Sequence, residues 1–165
     1  MARIIASVDP LPERRAMPVE LREVTKDSVR AVCQLDAGDG GKNVAPNAYS
    51  IAQAYFSREA WFRAIHAGDE LVGFLMLYDP SLTDAPEEKE FMLWRLMIDR
   101  RVQGRGYGHA AVEALVAHVR TRPGADALYV SHVKEAEPLA RFYRSLGFTY
   151  TGDEEDGELW MKRAL

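Results

Sequence analysis

Apolar and polar side chains alternate through Val19-Glu20-Leu21-Arg22-Glu23-Val24, the period of a strand with one face covered. They then recur at Val29, Val32, Cys33 and Leu35, the spacing of a helix for which Thr25 is placed as the N-cap. The break Gly38-Asp39-Gly40-Gly41 separates this unit from a second short helix over Ser50 to Arg58. Two β-prone runs, Trp61 to His66 and Leu71 to Tyr78, flank Ala67-Gly68-Asp69-Glu70 and predict a hairpin. A loop from Asp79 to Glu88 with two prolines and four carboxylates leads into Phe91 to Ile98, apolar at nearly every position except Arg95. Such a run marks a strand covered on both faces, the centre of a sheet. Val112, Leu115, Val116 and Val119 form one stripe of a helix over His109 to Arg120, which the turn at Pro123-Gly124 ends before a strand over Ala127 to Val133. That unit reads as strand, crossover helix, parallel strand. Pro138 opens a last helix with Leu139, Phe142, Tyr143 and Leu146 on one side and Gly147 as its αL cap. Phe148 to Thr151 and Leu159 to Lys162 then flank the acidic run Asp153 to Glu158 as a closing hairpin.

Composition narrows this mainly by exclusion. The 165 residues, 47% hydrophobic and 28% charged, suit one globular domain over 18–165 that folds alone or as a small oligomer such as a homodimer. Residues 1–17, with Pro10 and Pro12 among charges, read as a loose N-terminal leader. A net charge of −4 argues against a nucleic-acid partner and is compatible with a cationic substrate. The single cysteine, Cys33, excludes an internal disulfide and reads as a small buried hydrophobe on its helix stripe. No apolar stretch approaches a membrane span, no apolar signal core follows Met1, and a cytoplasmic location is therefore expected. No His, Cys and carboxylate spacing suggests a metal site.

Chemistry concentrates in Gln103-Gly104-Arg105-Gly106-Tyr107-Gly108, between the central strand and the helix that follows. Alternating glycines let a backbone bend tightly and press its N–H groups on a ligand, and the helix adds the positive end of its dipole. The P-loop pattern fails, since Gly108 is followed by His109 and Ala110 rather than Lys-Ser/Thr. The dinucleotide fingerprint through Gly104 and Gly106 needs a glycine where His109 stands, with too little chain after it for a doubly wound half. On these residues alone the stretch is either a phosphate cradle or a tight strand-to-helix turn without a ligand.

The pattern Q-x-x-G-x-G over Gln103 to Gly108, together with Pro138-Leu139-Ala140-Arg141-Phe142-Tyr143-Arg144-Ser145-Leu146-Gly147-Phe148 about forty residues on, resembles the two ordered signatures of the GNAT N-acetyltransferase superfamily. The resemblance implies an α/β fold: a mixed, mostly antiparallel sheet of about seven strands with about four helices, its central strands splayed around acyl-CoA. It implies acetyl-CoA as cosubstrate, its pyrophosphate held by Gln103, Gly104, Arg105, Gly106, Tyr107, Gly108 and His109, with a Cβ at Gly106 or Gly108 expected to push the loop off it. The backbone of Leu96, Met97 and Ile98 is implied for the pantetheine arm and acetyl carbonyl. Tyr143 matches the tyrosine that protonates the leaving thiolate, although helical spacing alone would make it a packed aromatic. The implied activity is acetyl transfer to an amine by direct attack. Val44 to Ala54 and Met97 to Arg101 further resemble the bacterial spermine/spermidine acetyltransferases, which points to a polyamine acceptor. Two departures stand out: Ala136 replaces an asparagine seven residues before the tyrosine, so that a cofactor contact is either lost or supplied by Glu135 or Lys134, and Trp94 and Arg95 stand where a strand glutamate can serve as base. The base is thus open among Glu90, Asp99 and a water chain, with Asp99 also readable as a solvated partner of Arg100 or Arg101. His66 is expected at a strand edge, His118 on a helix surface, and His132 opposite the cofactor cleft, the one histidine worth testing for catalysis. Other acceptors, an aminoglycoside, an amino acid or a protein N-terminus, and an acyl-CoA-binding regulatory domain without turnover are the competing readings.

Overall fold

Seven strands and four α-helices are present in the described residues, 18–40 and 44–165 of the computed structural model. In chain order they are β1 Glu20–Arg22, α1 Val29–Cys33, α2 Asn47–Ala54, β2 Ala60–Ala67, β3 Glu70–Tyr78, β4 Phe91–Ile98, α3 Tyr107–Val119, β5 Ala127–Val133, α4 Glu137–Ser145, β6 Thr149–Glu155 and β7 Glu158–Ala164. The leader read over residues 1–17, and Gly41 of the glycine-rich break, lie outside the described residues. The strands form one sheet in the order β1-β2-β3-β4-β5-β7-β6, antiparallel throughout except for β4 beside β5. The mixed, mostly antiparallel architecture that the resemblance implies is the one observed.

Two apolar layers hold the sheet. On one face α3 and α4 bury Val112, Leu115, Val116, Phe142 and Tyr143 against Leu93, Leu96, Ile98, Leu128 and Val130. On the other, Val32 of α1 and Ile51 and Ala54 of α2 close on Phe74, Met76 and Met97. β4 therefore feeds both layers, which explains its near-continuous hydrophobicity.

β4 also carries a bulge. Met76 pairs with Arg95 and Leu77 with Leu93, so Trp94 has no partner on β3. One extra residue reverses the alternation beyond it, as bulges do. Leu93 and Leu96 face the α3 layer, whereas Trp94 packs on the α2 layer and Arg95 donates to Gln53 of α2 at 3.1 Å.

Local capping corrects several boundaries. α1 starts behind Ser28 rather than Thr25, because the Thr25 carbonyl accepts from Ser28 N and Val29 N while its own N–H binds Ser28 Oγ, making a turn before the helix. Leu35 lies beyond its end, and Cys33 is half-buried while Val32 carries the burial. α2 begins at Asn47 after Pro46, not at Ser50, because buried Asn47 ties the helix to α1 through the Val32 carbonyl at 2.8 Å. Past the α1 and α2 layer, the acidic run is not a loop: β6 extends to Glu155, and only Asp156 and Gly157, with φ of 51° and 81°, make the turn. An Asp-Gly pair with both φ positive is the tight hairpin turn whose twist matches its strands.

Candidate active site

The parallel strands β4 and β5 touch only at Phe91 with Leu128 and Met92 with Tyr129. Beyond that point they part, so the backbone from Leu93 to Ile98 on one side and from Val130 to Val133 on the other borders an opening between the two layers. Leu96, Met97 and Ile98 have buried side chains, and β3 pairs only one edge of their strand. Their remaining backbone groups face the wedge.

The glycine loop lies at the open end of this wedge and is braced from behind. Gln103 Nε2 donates to the carbonyls of Ala37 and Ile98, both at 2.9 Å, so its side chain fixes the loop. Val102 is buried, Asp99 N donates to the Val72 carbonyl, and Arg100 N donates to the Asp36 carbonyl, each of the two bonds at 2.8 Å. Gly104 and Gly106 adopt φ of 76° and 84°, the latter serving as N-cap of α3. Among the described residues, the first N–H of α3 to find a backbone carbonyl is that of Ala110, on Gly106. The N–H groups before it are the ones a helix start offers to an anion. Arg105 is exposed, Tyr107 is buried in the core, and His109 lies half-buried in the first turn. Gly108 is already helical, and a Cβ there would meet Phe142 Cζ at 3.6 Å and Ile98 Cγ1 at 3.7 Å. Those are ordinary contacts with protein, so the fold itself accommodates a Cβ at Gly108, whereas Gly106, at φ of 84°, has a backbone angle that favours glycine.

Phe142 beneath Gly108 links the loop to α4, and Tyr143 is its neighbour. Tyr143 is fully buried, edge-on to both Phe142 and Phe148, and its hydroxyl has no hydrogen-bond partner among the described residues. Burial pushes this phenol well above its usual range, so it stays protonated at any physiological pH. A buried hydroxyl left unpaired is costly, and such a group fits a site that a ligand completes.

On the opposite face of the sheet, in the space beside the α2 layer, lies a cleft of about 840 Å³. Its floor is Tyr78, Met92, Trp94, Tyr129 and Trp160, from β3, β4, β5 and β7. One wall is the end of α2 with Phe56 and the buried Glu59, and a second is Glu87, Glu88 and Glu90 from the loop before β4. The third is the last hairpin, with Asp153, Glu155, Asp156 and Glu158. Strand alternation sends Glu154 the other way, to Lys134 at 2.7 Å. Lys134 is thereby committed, and Ala136 opens α4 without a side-chain cap. Eight carboxylates thus line the cleft, and among the described residues none has an ion-pair partner. The two acidic segments are far apart in sequence, and their meeting was not readable from it.

Other candidates resolve into structural roles. Asp99 is buried rather than solvated: burial raises its pKa, but Arg101, at 2.7 Å, and the backbone N–H groups of Arg101 and Asp36 outweigh that and hold it below the usual carboxylate range. Arg100 pairs instead with Asp36. Both ring nitrogens of buried His132 are engaged, with the Val133 carbonyl at 2.8 Å and the Tyr150 hydroxyl at 3.1 Å. His66 pairs with Glu20 of β1 and so is not on an edge, and His118 stacks on Trp61 at 4.0 Å rather than facing solvent. Among the described residues no side-chain cluster is arranged to hold a metal, and no helix is long and apolar enough to cross a membrane.

Residues 30–148 match the model of the Acetyltransferase (GNAT) family. Over 98 residues the chain is 30% identical to the spermine/spermidine N(1)-acetyltransferase of Bacillus subtilis (strain 168), a match that spans 58% of this chain and 64% of that relative. Among solved structures, an acetyltransferase from Thermus thermophilus superimposes with a TM-score of 0.69 at 22% identity, covering 92% of this chain and 100% of the other. A GNAT family acetyltransferase from Elizabethkingia anophelis with acetyl-CoA bound gives a TM-score of 0.62 at 12% identity, covering 92% and 100%. These two are likenesses of fold.

Proposed function

The chain belongs to the GNAT acetyltransferase family, and from that premise we propose that it transfers acetyl from acetyl-CoA to a primary amine of a polyamine such as spermidine or spermine, by direct attack. The observation that carries the acceptor is the cleft: aromatic and methionine side chains along its floor and eight carboxylates on its walls, with no ion-pair partner among the described residues. A polyamine carries ammonium charges several methylenes apart, so it needs carboxylates at intervals and apolar surface between them. The similarity to the Bacillus spermine/spermidine enzyme supports the same acceptor.

Acetyl-CoA supplies an activated thioester carbonyl. The backbone N–H groups from Gln103 to His109 hold its pyrophosphate at the start of α3, and Leu96, Met97 and Ile98 offer backbone groups to its pantetheine arm. Tyr143 lies in the α4 layer and gives its phenolic proton to the leaving thiolate. The amine enters from the opposite, carboxylate-lined face. Acceptor and leaving group thus meet through the wedge from two sides of the sheet, which keeps the basic amine away from the acid.

Coenzyme A release on mixing the protein with acetyl-CoA and a panel of amines tests this reading. Spermidine and spermine should react ahead of a monoamine of similar length, an aminoglycoside or an amino acid. Preference for one of the latter removes the polyamine and keeps the transfer, and acetyl-CoA binding without turnover on any amine leaves a binding domain.

A further inference from the structure

Eight carboxylates line the cleft, and six of them, Glu87, Glu88, Glu90, Asp153, Glu155 and Asp156, are exposed. Glu59 and Glu158 are not, and each is held by a serine: Ser57 Oγ donates to Glu59 Oε2 at 2.9 Å, and Ser131 Oγ to Glu158 Oε2 at 2.6 Å. Their places differ. Glu59 precedes β2, and Ala60 pairs with Tyr78, so two strand spacings separate it from β4. Ser131 is fully buried on β5, two residues beyond Tyr129, the last residue that β5 pairs with β4. Ser131 sits opposite Trp160 and Val133 opposite Glu158 in the β5 and β7 ladder, so Tyr129, Ser131, Trp160 and Glu158 share the face of the cleft. The Glu158 carboxylate is thereby drawn to the point where the cleft meets the opening wedge.

The other lip of that opening is the β4 bulge. Extending the register of Met92 with Tyr129 would set Trp94 against Ser131, and the bulge turns Arg95 to the same face. Arg95 is 3% exposed and its guanidinium donates to the Trp94 carbonyl and to Gln53; burial lowers its pKa, and Tyr49 and then Glu158 act the other way. Glu155 lies opposite Glu158 on β6.

We infer that Glu158 is the general base of the transfer, oriented by Ser131. This rests on the acetyltransferase reading. The amine nitrogen forms its bond to the acetyl carbon as the carbon–sulfur bond breaks; the nitrogen's proton passes to the Glu158 carboxylate and the Tyr143 proton to the sulfur. No further reactant is needed. Ser131 is a positioning residue, since its hydroxyl is spent on Glu158.

The test uses acetyl-CoA and spermidine with the full chain. Glu158→Gln should lower kcat by roughly a hundredfold or more, with KM for spermidine changed by less than about threefold and acetyl-CoA affinity unchanged. Added formate should restore turnover to Glu158→Ala in a concentration-dependent way, which a purely structural loss would not allow. Ser131→Ala should lower kcat by roughly tenfold at unchanged KM. Glu154→Gln, whose side chain points away from the cleft to Lys134, should leave kcat within about threefold and controls for loss of one negative charge. The inference is overturned if Glu158→Gln raises KM alone, which would make Glu158 an ammonium anchor, or if Glu154→Gln shows the same kcat loss. A parent inert toward every amine overturns the acetyltransferase reading and this inference with it, whereas an active parent with an active Glu158→Gln overturns this inference alone.

Discussion

Tyr143 is the residue whose two readings, acid or core aromatic, give opposite signatures. The hydroxyl is buried and unpaired, so Tyr143→Phe removes a group that burial disfavours by about 1 to 3 kcal/mol, and the variant should melt no lower than the parent. Turnover should nonetheless fall by about two to four orders of magnitude with acetyl-CoA affinity retained, the usual effect of losing a positioned acid. Calorimetry and steady-state rates on one preparation decide it, and full turnover in the Phe variant would return the ring to packing alone. Gly106 and Gly108 divide in the same way. Gly108→Ala adds a methyl at van der Waals distance from Phe142 and Ile98 in a helical turn, so it should fold at least as well and bind acetyl-CoA within about threefold of the parent. Gly106→Ala, at φ of 84°, should lose about 1 to 2 kcal/mol of stability and weaken binding by loosening the helix start. Spacing alone marked these glycines, but it did not distinguish them; the distinction lies in a backbone angle and in the direction of one Cβ vector.

At the scale of elements, the periodicities were legible wherever burial imposed them. β5 has the bounds its apolar run predicts, and Val112, Leu115, Val116 and Val119 are all fully buried. What the pattern missed was set by polar contacts across the fold and by pairing. The Ser28 turn delays α1, Asn47 advances α2, and the bulge at Trp94 interrupts a run that is apolar at nearly every position. His118 is a similar case, since one turn of helix gives no hint that Trp61 of β2 will cover it. Its ring lies on Trp61 with Arg63, Arg122 and Asp79 around it, and burial first, then Arg122, lowers its pKa. The unfolded chain takes up a proton on this histidine near pH 6.5, and the folded chain only at lower pH, so its contribution is stability lost as pH falls below about 6.5. His66 shifts in the same direction, mainly through burial. Asp99 and Glu113, both held low by arginines, lose their contribution only further down, below about pH 4. His118→Phe keeps the stack and removes the titration. Melting temperatures should therefore fall less in this variant than in the parent between about pH 7 and 5, and parallel curves would show that the loss arises elsewhere.

Eight carboxylates from distant parts of the chain line one cleft, and a net charge of −4 understates the field inside it. Sequence indicated two acidic segments and a family that acetylates amines. It could not indicate that the sheet order β4-β5-β7-β6 brings the loop before β4 and the last hairpin to one cavity, because that is a property of long-range pairing. If this field selects the acceptor, spermidine or spermine should outrun a monoamine of similar length at low salt, and the margin should narrow as ionic strength rises, since exposed charge pairing is screened. Neutralising Glu87 with Glu88, or Asp153 with Glu155, should raise KM for spermine roughly five- to thirtyfold with little change in kcat, the expected range for losing two exposed charge contacts. Glu154→Gln is the matched control, because that side chain points away from the cleft to Lys134 and its loss should leave KM where it was. Equal sensitivity at Glu154 and Glu155 would mean that only overall charge matters and that the cleft does not read the spacing of its substrate's ammonium groups.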